Sequence, residues 1–414
     1  MTELTSSVAA NLPELPAGWS YVSLEDLLEP NGISYGIVQP GNHDQTGIPI
    51  VRVKDLKAGK VNQDDPLRVS SEVEEKYSRT RLKGGEVLLS LVGSVGETSV
   101  ATSELSGWNV ARAIGVLRVS DLISASWLKI CISGDVAQHY MQTRLNTTVQ
   151  ATLNLRDVRK IPIVMPPNRE REAVAGVIEA LDGKVAINER IASTARELGM
   201  TLIAQAIKGD DLVEVAVESV TIALTRGVAP KYTDSPDGIT VLNQKCIRGG
   251  RVNLEPSRMT LREKVKAPKL LQRNDVLVNS TGVGTLGRVA RWTAALEATV
   301  DSHVTIVRFD EQRVDPVCAG FAMLRAQPRI EAMGEGSTGQ TELRRAQVGG
   351  LEITLPSPAR QKELRIKLEA LEERADRAFS ESLALAALRD TLLPQLMSGK
   401  LRVREAERIV EDAV

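Results

Sequence analysis

The chain has 414 residues and a formal net charge of −1, so it exceeds one ordinary core and does not advertise a polyanion partner by bulk charge. Its first residues lack a basic start with an apolar core, and no stretch approaches 18 uninterrupted apolar residues, which argues against export and membrane insertion and makes the cytoplasm the expected location. Cys131, Cys246, Cys318, His43, His139 and His303 stand isolated, so neither disulfides nor a metal site is expected.

In chain order, residues 1–12 read as a flexible N-terminus. Residues 13–168 are short β-like runs broken by Gly, Pro, Asn and Asp, the pattern of a mixed domain. Within them "EVLLSLVGSVGETSVA" (86–101) reads as strand, glycine turn and strand, and "SASWLKICISGDVAQHYMQTRL" (124–145) as inserted helical structure. The prolines of "MPPNRERE" close this domain and precede a long helix over 169–209. Its Val174, Val177, Leu181, Lys184, Asn188, Ile191, Ala195, Leu198 and Leu202 alternate steps of three and four, a heptad seam with two polar positions. Residues 210–358 form a second mixed domain, with "LPSPARQKE" opening a second helix over 359–400. Leu364, Leu368, Leu371, Ala375, Ala378, Ser382, Leu385, Leu388 and Leu392 are its seam, and residues 401–414 a C-terminal tail.

The two halves repeat. "EVLLSLVGSVGETSVA" (86–101) aligns with "DVLVNSTGVGTLGRVA" (275–290) at an offset of 189. "QATLNLRDVRKIPIVMP" (150–166) aligns with "QTELRRAQVGGLEITLP" (340–356), and "IEALD" (178–182) with "LEALE" (368–372), both at 190. A near-constant offset through domain and helix alike means duplication of a whole unit. Each helix spans ~55 Å at 1.5 Å per residue, and two such amphipathic helices are expected to bury each other's seams. Either direction is sterically open; an antiparallel pair relates the domains by a pseudo-twofold axis. The expected fold is α+β: two mixed α/β domains separated by two long helices in an antiparallel coiled coil.

Gly282, Gly284 and Gly287 spell G-x-G-x-x-G, but "RVARWT" follows with strand rather than helix character, and the first copy lacks the motif, so a structural hairpin is expected in place of a nucleotide loop. Arg288 and Val289 likewise replace the lysine and hydroxyl of a phosphate loop. "MPPN" (165–168) places asparagine on the wrong side for an amino-methyltransferase loop, and "PDGITVLNQK" has Asn243 where a nuclease needs a carboxylate. No catalytic residue is nominated. Charge is local: residues 244–273 hold nine Lys or Arg against Glu255 and Glu263, a net of +7, and residues 50–83 have a net of +3. Like charges gathered this way fit a phosphate-facing surface.

Together with the duplicated layout, "LPAGWSYVSLEDLL", "KGGEVLLSLVGSVGETSVA", "NLRDVRKIPIVMPPNRERE" and "LRDTLLPQLMSGKL" make the chain resemble the specificity (S) subunit of type I restriction-modification enzymes. The resemblance implies two target-recognition domains, each reading half of a bipartite double-stranded DNA site, and helices that space them. It implies as partners two methyltransferase subunits and restriction (motor-nuclease) subunits. S-adenosylmethionine, ATP and Mg are expected in those partners, and no cofactor in this chain. "DLVEVAVESVTIAL" is a poor counterpart of "GWSYVSLEDLL", so the start of the second domain is the loosest boundary. A non-catalytic coiled-coil scaffold without DNA readout is the alternative.

Bases are read by Arg or Lys on guanine and Asn or Gln on adenine, delivered from loops. By type and place the candidates are Arg52, Lys54, Ser94, Arg112, Gln150 and Asn154 in the first domain. In the second they are Asn243, Lys245, Thr281, His303, Gln340 and Arg344.

Overall fold

The computed structural model describes residues 12–57, 59–146, 150–208, 211–334 and 342–413. The expected flexible N-terminus lies outside these residues, apart from Leu12, which packs against the first core. The chain divides into two compact units, residues 1–186 with 382–414, and residues 187–381. The division falls inside both long helices, so each unit takes one mixed domain and one segment of each helix. No helix among the described residues is long and apolar enough to cross a membrane.

In the first unit the strands are β1 (Ser20–Ser23), β2 (Leu28–Tyr35), β3 (Ile48–Val51), β4 (Leu56–Lys57), β5 (Lys60–Val61), β6 (Leu67–Val69), β7 (Val87–Ser90), β8 (Thr98–Val100), β9 (Asn109–Val110), β10 (Ile114–Val119) and β11 (Pro162–Met165). A four-stranded sheet runs β2-β10-β7-β8 and a three-stranded one β6-β3-β9, with pairs β1-β11 and β4-β5. β7 is buried throughout. Its Val87 and Leu89 join one core cluster and Leu88 another, because side chains alternate across a strand. The helices are α1 (Ser71–Glu75), α2 (Ala125–Ser133), α3 (Asp135–Gln142), α4 (Leu155–Arg159) and the long α5 (Asn168–Ala206). The helix expected within 124–145 is present as two segments, α2 and α3. Gly134 stands between them in the extended region (φ −77°, ψ 158°), and glycine is a weak helix former.

The second unit repeats the first strand for strand. It contains β12 (Leu212–Ala216), β13 (Thr221–Arg226), β14 (Ile239–Leu242), β15 (Ile247–Arg248), β16 (Arg251–Val252), β17 (Arg258–Thr260), β18 (Val276–Asn279), β19 (Val289–Arg291), β20 (Ala298–Val300), β21 (Val304–Phe309) and β22 (Glu352–Pro356). Their orders are β13-β21-β18-β19 and β17-β14-β20, with pairs β12-β22 and β15-β16. β12 supplies the boundary that the sequence left loose, since Leu212 pairs with Pro356 as Ser20 pairs with Met165. The glycine-rich motif is a hairpin: Val276, Leu277 and Val278 pair antiparallel with Arg291, Ala290 and Val289. Gly282 and Gly287 have φ of +106° and +75°. A Cβ on Gly287 would lie 2.6 Å from the Glu331 Cα, so turn geometry and close packing account for these glycines. α6 (Pro316–Arg325), α7 (Gln327–Ala332) and α8 (Arg345–Gly349) complete the domain.

α9 spans Pro358–Met397 and α10 Val403–Ala413. In each unit the segments of α5 and α9 run antiparallel. In the first, Arg389 Nη1 donates to Asp182 at 2.7 Å and Ser382 Oγ to the Val185 carbonyl at 3.4 Å. In the second, Ala192 and Ala195 pack with Ala375 and Ala378, and Ile203 with Leu364 and Leu368. Small alanines let the backbones approach closely.

The seam of α9 runs as expected, with no exposed position from Leu364 to Leu392. That of α5 shifts by one residue near its end: Leu198 is 47% exposed while Gly199 is buried. A Cβ on Gly199 would lie 2.7 Å from the Phe321 ring, so the packing of α6 claims the face assigned to Leu198. Asn188 does lie in the seam, buried and with its Nδ2 unpartnered. The C-terminal tail 401–414 is ordered within the described residues. Its residues 403–413 form α10, and Leu401, Val403, Ala406 and Val410 pack on the first core.

Candidate nucleic-acid interface

The β18–β19 turn organises a polar cluster in the second unit. Gln244 Nε2 donates to Thr281 Oγ1, which lies 2.9 Å from His303 Nδ1. The His303 backbone N–H donates to Asp301 at 2.9 Å, and burial pushes the Asp301 carboxyl above its ordinary pKa. The turn is pinned from inside: buried Asn279 donates from Nδ2 to the carbonyls of Gln244 (3.0 Å) and Thr285 (3.1 Å). At its tip Val283 is 87% exposed. Thr281 also bridges to Glu342, and the segment following Glu342 leads into α8.

Of the candidates in this unit, Thr281 and His303 are therefore brought together. Lys245 is exposed. Asn243 spends its side chain locally, accepting from the Lys245 N–H at 2.8 Å and donating to the Pro256 carbonyl at 2.6 Å. Arg344 is exposed at the N-cap of α8, and Gln340 lies outside the described residues. Gln244 was missed, although it adjoins two candidates, because nothing in its sequence neighbourhood signals a partner 37 positions away.

In the first unit the equivalent turn brings Ser94 and Gln150 to one surface. Both are exposed, a Cβ on Gly93 would lie 3.3 Å from Gln150 Nε2, and the Gly93 N–H donates to the Ala151 carbonyl at 2.9 Å. Lys54 and Arg112 are exposed. Arg52 is engaged: Nε donates to Asp55 at 2.8 Å and Nη2 to the Asp65 carbonyl at 2.9 Å. Asn154 caps α4, accepting from the Asp157 N–H at 3.0 Å and donating to its carboxylate at 2.5 Å.

The basic stretch 244–273 divides. Lys245, Arg248, Lys264 and Lys266 are exposed and, among the described residues, have no carboxylate partner. Arg262 pairs with Glu297, and Arg251 with Asp376. Arg258 stacks over Tyr232 with its guanidinium carbon 3.5 Å from the ring centre. Lys269, in the same basic stretch, is half-buried. It donates to Thr225 Oγ1 and the Arg226 carbonyl.

Two repeats of one mixed α/β fold, each with a segment of the paired helices, make up the described architecture. The crystal structure of a type I restriction-modification S subunit from M. genitalium superposes with a TM-score of 0.58 at 12% identity, covering 93% of this chain and 97% of that one. A family model for the type I restriction modification DNA specificity domain matches residues 16–195. The type I restriction enzyme EcoBI specificity subunit of Escherichia coli is 26% identical over 204 residues, 47% of this chain and 42% of that protein. The chain thus aligns with less than half the length of that curated relative. The family match thus falls on the first repeat and the start of the first long helix, and the fold as a whole is similar to that of the M. genitalium S subunit.

Proposed function

We propose that the chain is the DNA-recognition subunit of a type I restriction-modification complex. The strand-for-strand duplication carries this reading, because two copies of one recognition fold suit two half-sites of a bipartite sequence. In the second copy the polar turn, Gln244, Thr281 and His303, offers donors and acceptors to base edges, and Lys245, Arg248, Lys264 and Lys266 offer charge to phosphates. Ser94 and Gln150 take the corresponding place in the first copy, with Arg52, Lys54, Arg112 and Asn154 as further candidates. Arg344, and Asn243 as the cap that holds Lys245, complete the set.

The paired helices hold the half-site separation and dock two methyltransferase subunits, which methylate adenine with S-adenosylmethionine. Restriction subunits with ATP and Mg join that assembly. Catalysis belongs to the partners.

The test is methylation by the assembled complex on a random-sequence library, read by sequencing modified DNA. A bipartite motif is expected. Replacing residues 210–358 with the same segment of a relative of different target should change one half-site only. DNA bound without sequence preference would favour the scaffold instead.

A further inference from the structure

Beside the polar turn of the second unit lies a cleft of about 570 Å³, lined by Thr225, Arg226, Gly227 and Lys269 on one side and by Glu342, Arg344 and Arg345 on the other. It adjoins the turn directly, since Thr281 bridges to Glu342 and the Leu343 N–H donates to the Ser280 carbonyl at 2.8 Å. Arg226 is fixed at the end of β13 by an ion pair with Glu342 at 2.6 Å and a hydrogen bond to the Leu343 carbonyl at 3.0 Å. Lys269 is fixed through Thr225 and the Arg226 carbonyl.

Glu342 answers Arg226, which leaves Lys269 and Arg345 without a carboxylate among the described residues. Burial first, then the charge of Arg345, holds the Lys269 ammonium below its ordinary pKa. Cations repelling each other around an open cleft cost stability unless an anion enters.

The fold does not require these charges, as the first unit shows. Arg226 pairs with Thr305 as Tyr35 pairs with Gly115. Lys269 ends the short 3-10 turn that Thr80 ends in the first copy. Glu342 bridges to Thr281 as Thr152 bridges to Val92, and Arg345 opens α8 as Leu155 opens α4. At the positions of Arg226, Lys269, Glu342 and Arg345 the first unit has Tyr35, Thr80, Thr152 and Leu155, none of them charged, and there the Tyr35 hydroxyl accepts from the Leu155 N–H at 3.1 Å; a neighbouring charge, Arg156, stands at the position of Ala346.

We propose that this cleft is a phosphate-binding site, peculiar to the second unit, that takes one backbone phosphate of the DNA whose bases face Thr281 and His303. It rests on the DNA-reading function above. Arg345, exposed and with no side-chain hydrogen bond among the described residues, contacts the phosphate oxygens with Lys269. Arg226 holds the wall.

The test uses the full chain with duplexes carrying its motif, each with one neutral methylphosphonate, against wild type and Arg345→Ala. One phosphate position is expected at which neutralisation weakens wild-type binding several-fold but leaves the Ala variant unaffected. The variant's slope of log K against log salt should also be shallower by ~0.9. Arg345→Lys should restore the slope. An unchanged slope, or a loss that adds in full to every methylphosphonate, overturns the assignment to DNA.

A second arm titrates inorganic phosphate and pyrophosphate into the DNA-free chain. Saturable pyrophosphate binding, abolished by Arg345→Ala while DNA affinity is unchanged, would make a free phosphate compound the ligand and overturn the DNA source. Wild type without any sequence-specific binding would sink the parent reading. The titration then decides the cleft alone, with no binding of either anion overturning it.

Discussion

Arg291 Nη1 donates to Glu372 at 2.6 Å, joining the end of β19 to α9 with side chains only 1% and 15% exposed. Nη2 donates to Asn274 at 2.7 Å, and the guanidinium carbon lies 5.3 Å from the centre of the Phe321 ring. Around this pair Thr293 Oγ1 donates to Asp376 at 2.7 Å and Arg251 Nη2 to the Ala375 carbonyl at 2.7 Å. The mixed domain of the second unit thus meets its helix through charge. Removing one partner of a buried pair leaves the other charge unanswered. Glu372→Ala should cost about 3–5 kcal/mol, whereas replacing both residues by apolar side chains should recover most of that. Chemical denaturation of the three proteins decides; equal losses for single and double variants would refute the argument.

Glu372 also gives a pH dependence of definite sign. Burial raises its pKa above the ordinary value, outweighing the attraction of Arg291, and its Oε2 has no partner. A folded carboxyl that holds its proton more tightly than the unfolded one contributes stability below the unfolded value, about 4.3. That contribution is lost as pH rises through the folded value. Wild type should therefore lose stability relative to Glu372→Gln as pH increases from about 4.3 upward. Denaturation midpoints of the two proteins across this range measure the difference, and a gain for wild type would contradict it.

Thr281→Val removes the hydroxyl shared by Gln244 and His303 while keeping the side-chain volume. Discrimination at one base pair of one half-site should fall by about 1–3 kcal/mol, with the other half-site unchanged. Library methylation by the assembled complex reads this directly. Equal relaxation of both half-sites would show a general loss of fold.

Lys264 and Lys266 are exposed and without a carboxylate among the described residues, so their replacement by Ala should weaken binding to all DNA alike. The salt slope should flatten by up to ~0.9 per lost contact. Arg262→Ala should do much less, because Glu297 already holds that guanidinium at 2.6 Å. A larger effect from Arg262 would reverse the assignment.

Lengthening the spacer requires both helices. Seven residues in α5 alone would displace one set of antiparallel contacts, Asp182 with Arg389 or Ala195 with Ala375, from its partner. Matched heptads after Ala186 and after Glu381 keep both seams in phase and add ~10 Å to each helix. The gap between half-sites should grow by at most ~3 base pairs, from 3.4 Å per pair, with both half-sequences kept. Sequencing of methylated sites from a random-spacer library gives the gap; full activity at the old spacing would remove the helices from the role of ruler.

The sequence by itself determined the duplication, the two hairpins and both long helices to within about a turn. Each of these follows from periodicity or from similarity at a constant offset, which are properties of neighbouring residues and survive any tertiary arrangement. Tertiary structure decided which side chains meet. Leu198 lost its seam position because Phe321, from another part of the chain, packs where only Gly199 leaves room. Lys269 is half-buried because Thr225 and the Arg226 carbonyl reach it from β13. Gln244 and Arg226 carried no local signal. Their roles arise from contacts across 37 to more than 100 positions, and a side chain's chemistry is set by the partners that folding brings to it.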